Sequence, residues 1–214
     1  MPNETIRSLL IATILIPIVV GVANYKVVDR DSRLFLFFLV IGFITDATMR
    51  VMRLANQAQF GIHIYNIYSL IEALFFFWYI RQKTDSVQLR KVSNIVLYAT
   101  IPFWILCHTA YKVWMEGKAS PSALFDITYE ILAAFLTGFV LLQLAESTQD
   151  ITRSRIFWFT MGIFFYCFCT FFIMGLLQTQ IVLKIWFMNN IINLISYGFF
   201  TVAFSRFRWS KKEQ

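Results

Sequence analysis

Tyr65, Tyr68 and Glu72 recur at i, i+3 and i+7 within HIYNIYSLIEALFFFWYIR, residues 63–81, so a helix sets two phenols and one carboxyl on a single face. Asp126 and Glu130 repeat the pattern at i, i+4, and Trp186, Asn189, Asn193 and Tyr197 at i, i+3, i+7 and i+11. Asn66 falls in the same polar half-helix as the first set. Carboxyls and amides accept hydrogen bonds, phenols donate them, and aromatic rings wall them off from their surroundings. Together these groups could bind a small polar ligand or exchange a proton, with Tyr65, Asn66, Tyr68, Glu72, Asp126, Glu130, Trp186, Asn189 and Asn193 as the candidate lining. Asp46 and Arg50, at i, i+4, read as an intrahelical ion pair or a proton-linked couple, and His63 and His108 as interfacial or proton-linked groups.

The elements that must hold these groups are apolar. The chain of 214 residues is 58% hydrophobic and only 14% charged, with a mean hydropathy of +0.64. That is more apolar surface than a soluble domain of this size can hide. A membrane-crossing helix needs ~20 mostly apolar residues. Seven stretches qualify, at 6–28, 34–53, 60–81, 92–114, 123–146, 155–178 and 181–204. The chain therefore reads as one all-α transmembrane domain over 1–214, a bundle of seven helices with short loops and a basic tail, FRFRWSKKEQ, over 205–214. No room is left for a separate kinase or nuclease domain. Only Arg7 precedes the first apolar run, so that run is expected to be retained as a helix and not cleaved as a signal.

Thirteen of the nineteen Lys and Arg residues fall in the odd-numbered gaps and the tail, and six at the opposite end. The excess marks the cytoplasmic side, which puts the N-terminus outside and the C-terminus in the cytoplasm. The net charge of +7 then suits anionic lipid headgroups and does not call for a nucleic-acid partner. Helices 3 and 7 share Asn-Ile, Leu-Ile and Phe-Phe pairs at a constant offset, and helices 2 and 6 open on RLFLF and RIFWF. This suggests a three-plus-one-plus-three repeat, 6–81 and 123–204 joined by 92–114. With that orientation the costly polar groups gather toward the outer leaflet. Glu72 and Asn193 reach roughly 18 Å in from their outer ends, the floor of an outward-facing polar cup. The inner halves, Leu74 to Tyr79 and Phe199 to Phe204, are nearly pure hydrocarbon and aromatic.

Several chemistries find no support. There is no HExxH or GxSxG motif, and two histidines do not make a multi-histidine zinc site. No lysine sits mid-helix in the seventh span to hold retinal, and Cys107, Cys167 and Cys169 lie in spans without metal spacing. Neither a catalytic residue nor a metal or other cofactor is expected. The stretches ILIPIVVGVANYKVVDRDSRLFLFFLVIGF (14–43) and HIYNIYSLIEALFFFWYIR (63–81) resemble a group of small, uncharacterised seven-helix membrane proteins of bacteria. The overall plan is similar to the seven-helix sensory heads of some histidine kinases. The resemblance implies a bacterial inner-membrane sensory or accessory protein whose output passes to a partner at the cytoplasmic face. Two alternatives stay open: a small-solute or proton-coupled transporter using the same residues, and an intramembrane enzyme acting on lipid.

Overall fold

Runs of Leu, Ile, Val and Phe over twenty residues or more leave the backbone one way to satisfy its own polar groups inside lipid, the α-helix. A computed structural model describes residues 12–114, 121–147, 149–176 and 182–206, with side chains given except at 58, 110–114, 121–122, 174–176 and 182–187. Among the described residues there are seven α-helices, one 3-10 turn at Ile151–Arg153, and no strand. The helices are α1 (Leu15–Ala23), α2 (Arg30–Leu54), α3 (Ala58–Lys83), α4 (Val87–Trp114), α5 (Pro121–Ser147), α6 (Arg155–Leu176) and α7 (Val182–Ser205). Five of them contain stretches long and apolar enough to cross a membrane: Arg30–Leu54, Gln59–Lys83, Val87–Thr109, Ala123–Ser147 and Arg155–Ile173. The chain is thus an all-helical bundle with the features of a multi-pass membrane protein.

The first expected span, 6–28, begins outside the described residues and is shortened at its C-terminal end, because the helix stops at Ala23 and residues 24–27 form turns. Asn24 ends it: its side-chain amide donates to Val20 O at 2.9 Å and, across the bundle, to Phe204 O at 3.3 Å. One residue thereby stops α1 and ties it to the end of α7. The α2–α3 connection is equally tight. Asn56 takes up the left-handed conformation (φ 57°), and Gln57 N–H reaches back to Met52 O at 2.8 Å.

The helices pack in chain order, each on the next, and α1 closes the ring on α7. Helix α3 also touches α5 and α6, so it has the most neighbours and sits inward of the ring. The core is aromatic. Phe35, fully buried on α2, meets Phe75 and Tyr79 of α3, Phe159 of α6 and Phe200 of α7, with ring centroids 4.5–5.5 Å apart. Edge-on and tilted rings at these distances are the favoured geometry of aromatic pairs. Gly162 is required here, since a Cβ at that position would fall onto the Phe200 ring.

Polar contacts lock the end of the bundle that carries the basic loops. Lys83, at the end of α3, pairs with Asp31 of α2 at 2.5 Å, and Thr84 Oγ1 donates to Gln143 of α5 at 3.0 Å. Arg90 reaches back to Thr84 O at 2.9 Å. The contrast between Phe35 and Phe37, which is 65% exposed on the opposite face of α2, tests where packing energy resides. Phe35→Ala should lower unfolding stability by about 3–5 kcal/mol in a denaturant titration, and Phe37→Ala should leave it nearly unchanged.

Candidate functional site

Toward the other end of the bundle, above the aromatic core, three carboxyl groups are buried together. Glu72, near the middle of α3, is 6% exposed; Asp126 and Glu130, one turn apart on α5, are 2% and 1% exposed. Hydrogen bonds to hydroxyl groups hold two of them. Tyr129 OH donates to Glu72 Oε2 at 2.6 Å, and Tyr68 and Tyr166 approach Glu72 Oε1 and Oε2 at 3.5 Å. Ser69 Oγ donates to Asp126 Oδ1, and Tyr65 OH to Asp126 Oδ2 at 3.0 Å. A contact of 3.5 Å is at the limit of a hydrogen bond, so Tyr129 is the principal donor to Glu72. No described ion pair reaches any of the three carboxyls; the described pairs are Lys83–Asp31 and Arg153–Asp150.

Each of the three phenols at Glu72 packs against a phenylalanine. Phe38 stacks on Tyr68 at 6.2 Å, Phe125 packs on Tyr129 at 5.4 Å, and Phe76 meets the edge of Tyr166 at 6.1 Å. The aromatic core therefore continues into the rings that donate to Glu72. Gly42 on α2 makes room for one of them, because a Cβ there would lie 2.9 Å from the Tyr68 hydroxyl.

Around this centre lie groups whose capacity is unmet. Glu130 Oε2, Ser196 Oγ, Asn66 Oδ1, Asn189 Oδ1 and His108 Nε2 are sealed from solvent with no hydrogen-bond partner. All five atoms can accept a hydrogen bond, and the Ser196 hydroxyl can also donate one. The Asn66 backbone carbonyl is satisfied, taking the Trp104 indole N–H at 3.0 Å.

The structure brings Tyr65, Tyr68, Glu72, Asp126 and Glu130 into one cluster, with Asn66 at its α4 side. Asn193 is half-buried and enters none of the described hydrogen bonds, while Asn189 is half-buried with its carbonyl oxygen unpartnered. The Trp186 side chain lies outside the described residues, as do the side chains at 110–114, 121–122, 174–176 and 182–187. Asp46 is half-buried and within electrostatic reach of Glu72. His63 is exposed and lines a recess of about 650 Å³ with Asn56, Gln57, Gln59 and Phe60, at the α2–α3 turn. Of the described cavities, none is lined by Glu72, Asp126 or Glu130.

Two donors to Glu72 were not among the sequence candidates. Tyr129 lies between Asp126 and Glu130, at i+3 from the first, and Tyr166 is the one tyrosine in the run FFYCFCTFF. A hydroxyl inside an otherwise apolar aromatic run is the signal that could have singled out Tyr166. Among the described residues no group of His, Cys, Asp and Glu has the arrangement to hold a metal ion. No protein-family profile, curated protein or solved structure matches this chain.

The geometry ranks the tyrosines. Tyr129→Phe removes the short bond to Glu72 and should cost about 1–3 kcal/mol of unfolding stability. Tyr68→Phe and Tyr166→Phe, at 3.5 Å, should each cost clearly less in the same denaturant titration.

Proposed function

We propose that this chain is a proton-linked sensory or accessory protein of a bacterial cytoplasmic membrane, in which a proton on the Glu72–Asp126–Glu130 cluster biases helix packing. The observation that carries this reading is the direct seating of Tyr129 OH on Glu72 at 2.6 Å inside the bundle. Hydroxyls contact the carboxyl oxygens with nothing between them, which favours the smallest occupant, a proton, over a solute of several atoms. Buried ionisable groups at membrane depth face the bundle interior and mark functional sites.

The arrangement fits seven spans with the N-terminus outside and the basic end in the cytoplasm. Helix α3 would be the responsive element. It carries Glu72, Tyr65, Tyr68 and Ser69, touches α2, α4, α5 and α6, and ends at the Lys83–Asp31 pair near the basic loops. A change in the hydrogen bonding of Glu72 would be felt at that end, where the loops and tail would meet lipid and a partner protein.

A proton-coupled carrier is the second reading, and one observation favours it. The contacts α1–α2, α2–α3 and α3–α5 are matched by α5–α6, α6–α7 and α7–α1, the pattern expected of two triplets joined by α4. A pH series of thermal unfolding in lipid nanodiscs, run beside a proton-flux assay in proteoliposomes, separates the two. A sensor gives a pH-dependent midpoint that Glu72→Gln flattens, with no flux. A carrier gives proton-coupled flux that Glu72→Gln abolishes. Equal pH dependence in the parent and Glu72→Gln, without flux, overturns both.

A further inference from the structure

Helices α4 and α5 leave a pocket of about 290 Å³ between them. Its floor is formed by Phe77, Phe125 and Tyr129, all buried, and its rim by Ile95, Ala99 and Leu132, all exposed. Both walls lie in stretches long and apolar enough to cross a membrane, Val87–Thr109 and Ala123–Ser147. At about 1.5 Å per residue, the pocket sits roughly 3–21 Å from the span ends at Thr109 and Ala123, which is hydrocarbon depth. What meets an opening at that depth is lipid. The lining carries no charge, and each of its three hydroxyls is already committed. Thr100 Oγ1 donates to Val96 O at 2.8 Å, Thr128 Oγ1 to Leu124 O at 2.7 Å, and Tyr129 OH to Glu72 Oε2 at 2.6 Å. No donor is left for a polar head group, so the pocket suits a hydrocarbon tail. One wall can yield to it: α4 packs mainly on α3 and α5, and Pro102 leaves it one backbone hydrogen bond short beside the pocket.

We propose that this pocket is an acyl-chain site, in which the tail of one bilayer phospholipid enters between α4 and α5 and packs on Phe125 and the Tyr129 ring. The head group stays at the membrane surface. Tyr129 is the link to the carboxyl cluster, because its ring lines the pocket while its hydroxyl holds Glu72. Phe125 packs on that ring at 5.4 Å and itself meets Phe103 of α4 at 6.0 Å, so the tail, both phenylalanines and the tyrosine form one packed unit. A tail in the pocket holds the Tyr129 hydroxyl on Glu72; an empty pocket strips packing from one side of the ring. The lipid's role as a regulator rests on the proton-linked reading above, whereas the tail site itself does not.

Photolabelling tests the site in the parent protein, in phosphatidylethanolamine nanodiscs doped with an analogue carrying a diazirine midway along one acyl chain. Adducts are mapped by peptide mass spectrometry. Any lipid-facing surface labels exposed residues such as Ile95; the proposal requires adducts on Phe125 or Tyr129, which a tail reaches only by entering. Ala99→Trp, which sets a bulky ring across the exposed rim, should cut those adducts several-fold. Labelling at Phe135, which is exposed in a separate groove between α5 and α6, should not change. Adducts confined to the rim, as when a second copy of the chain covers the pocket, overturn the proposal, as do floor adducts equal in the parent and Ala99→Trp. Regulation is read from the pH series of thermal unfolding in nanodiscs of straight-chain or methyl-branched lipid. The pH-dependent change in midpoint should differ by several degrees between the two lipids in the parent and agree between them in Ala99→Trp. The same pH series in both lipids for the parent overturns the control of Glu72. Floor adducts in a parent with no pH dependence overturn the proton-linked reading, and the regulation with it, and leave the tail site standing.

Discussion

The hydrogen bond from Tyr129 to Glu72 is the contact around which this bundle is arranged. A carboxyl group deep in a helical bundle has no water to solvate it, and leaving it without a donor costs more than any single apolar contact returns. At 2.6 Å, Tyr129 supplies that donor from a neighbouring helix, so α5 must lie against α3 in one register. Asp126, one turn earlier, is satisfied from the opposite direction by Tyr65 and Ser69. Donors on α5 serve α3, and donors on α3 serve α5. Sliding one helix past the other by a turn would break both sets at once.

The aromatic core gives these bonds their precision. Inside lipid, apolar packing gains nothing from expelling water, and helix association depends on close contact and polar pairing. Phe35 at the crossing of α2, α3, α6 and α7 fixes four backbones, and Phe38, Phe76 and Phe125 extend that packing to the rings of Tyr68, Tyr166 and Tyr129. Glycines at 42 and 162 let the rings reach their places. A rigid aromatic layer on one side and three buried carboxyls on the other give α3 two ends with different behaviour. One is held by packing and the Lys83–Asp31 pair; the other carries the buried carboxyls on which the proposed proton linkage rests.

Helical periodicity made the carboxyl-bearing faces legible in the chain. Tyr65, Tyr68 and Glu72 had to share a face, as did Asp126 and Glu130, because a helix allows no other arrangement at those spacings. Which helix would supply the main donor was not legible, since that depends on which faces meet across the bundle. Tyr129 was hidden between two more conspicuous carboxyls, and Tyr166 among phenylalanines. The Lys83–Asp31 bridge joins residues 52 positions apart and had no local signature. The first helix ends earlier than the apolar pattern suggested, where Asn24 bonds to the carbonyls of Val20 and of Phe204 in α7.

The central claim is that the protonation of one carboxyl changes how α3 sits against its neighbours, and a distance measurement tests it most directly. Spin labels placed near the basic ends of α3 and α6 would be followed by pulsed electron resonance in nanodiscs across a pH series. The account predicts a shift between two distance populations in the parent protein, and a single pH-independent population in Glu72→Gln. The same pH-dependent shift in Glu72→Gln as in the parent would contradict it.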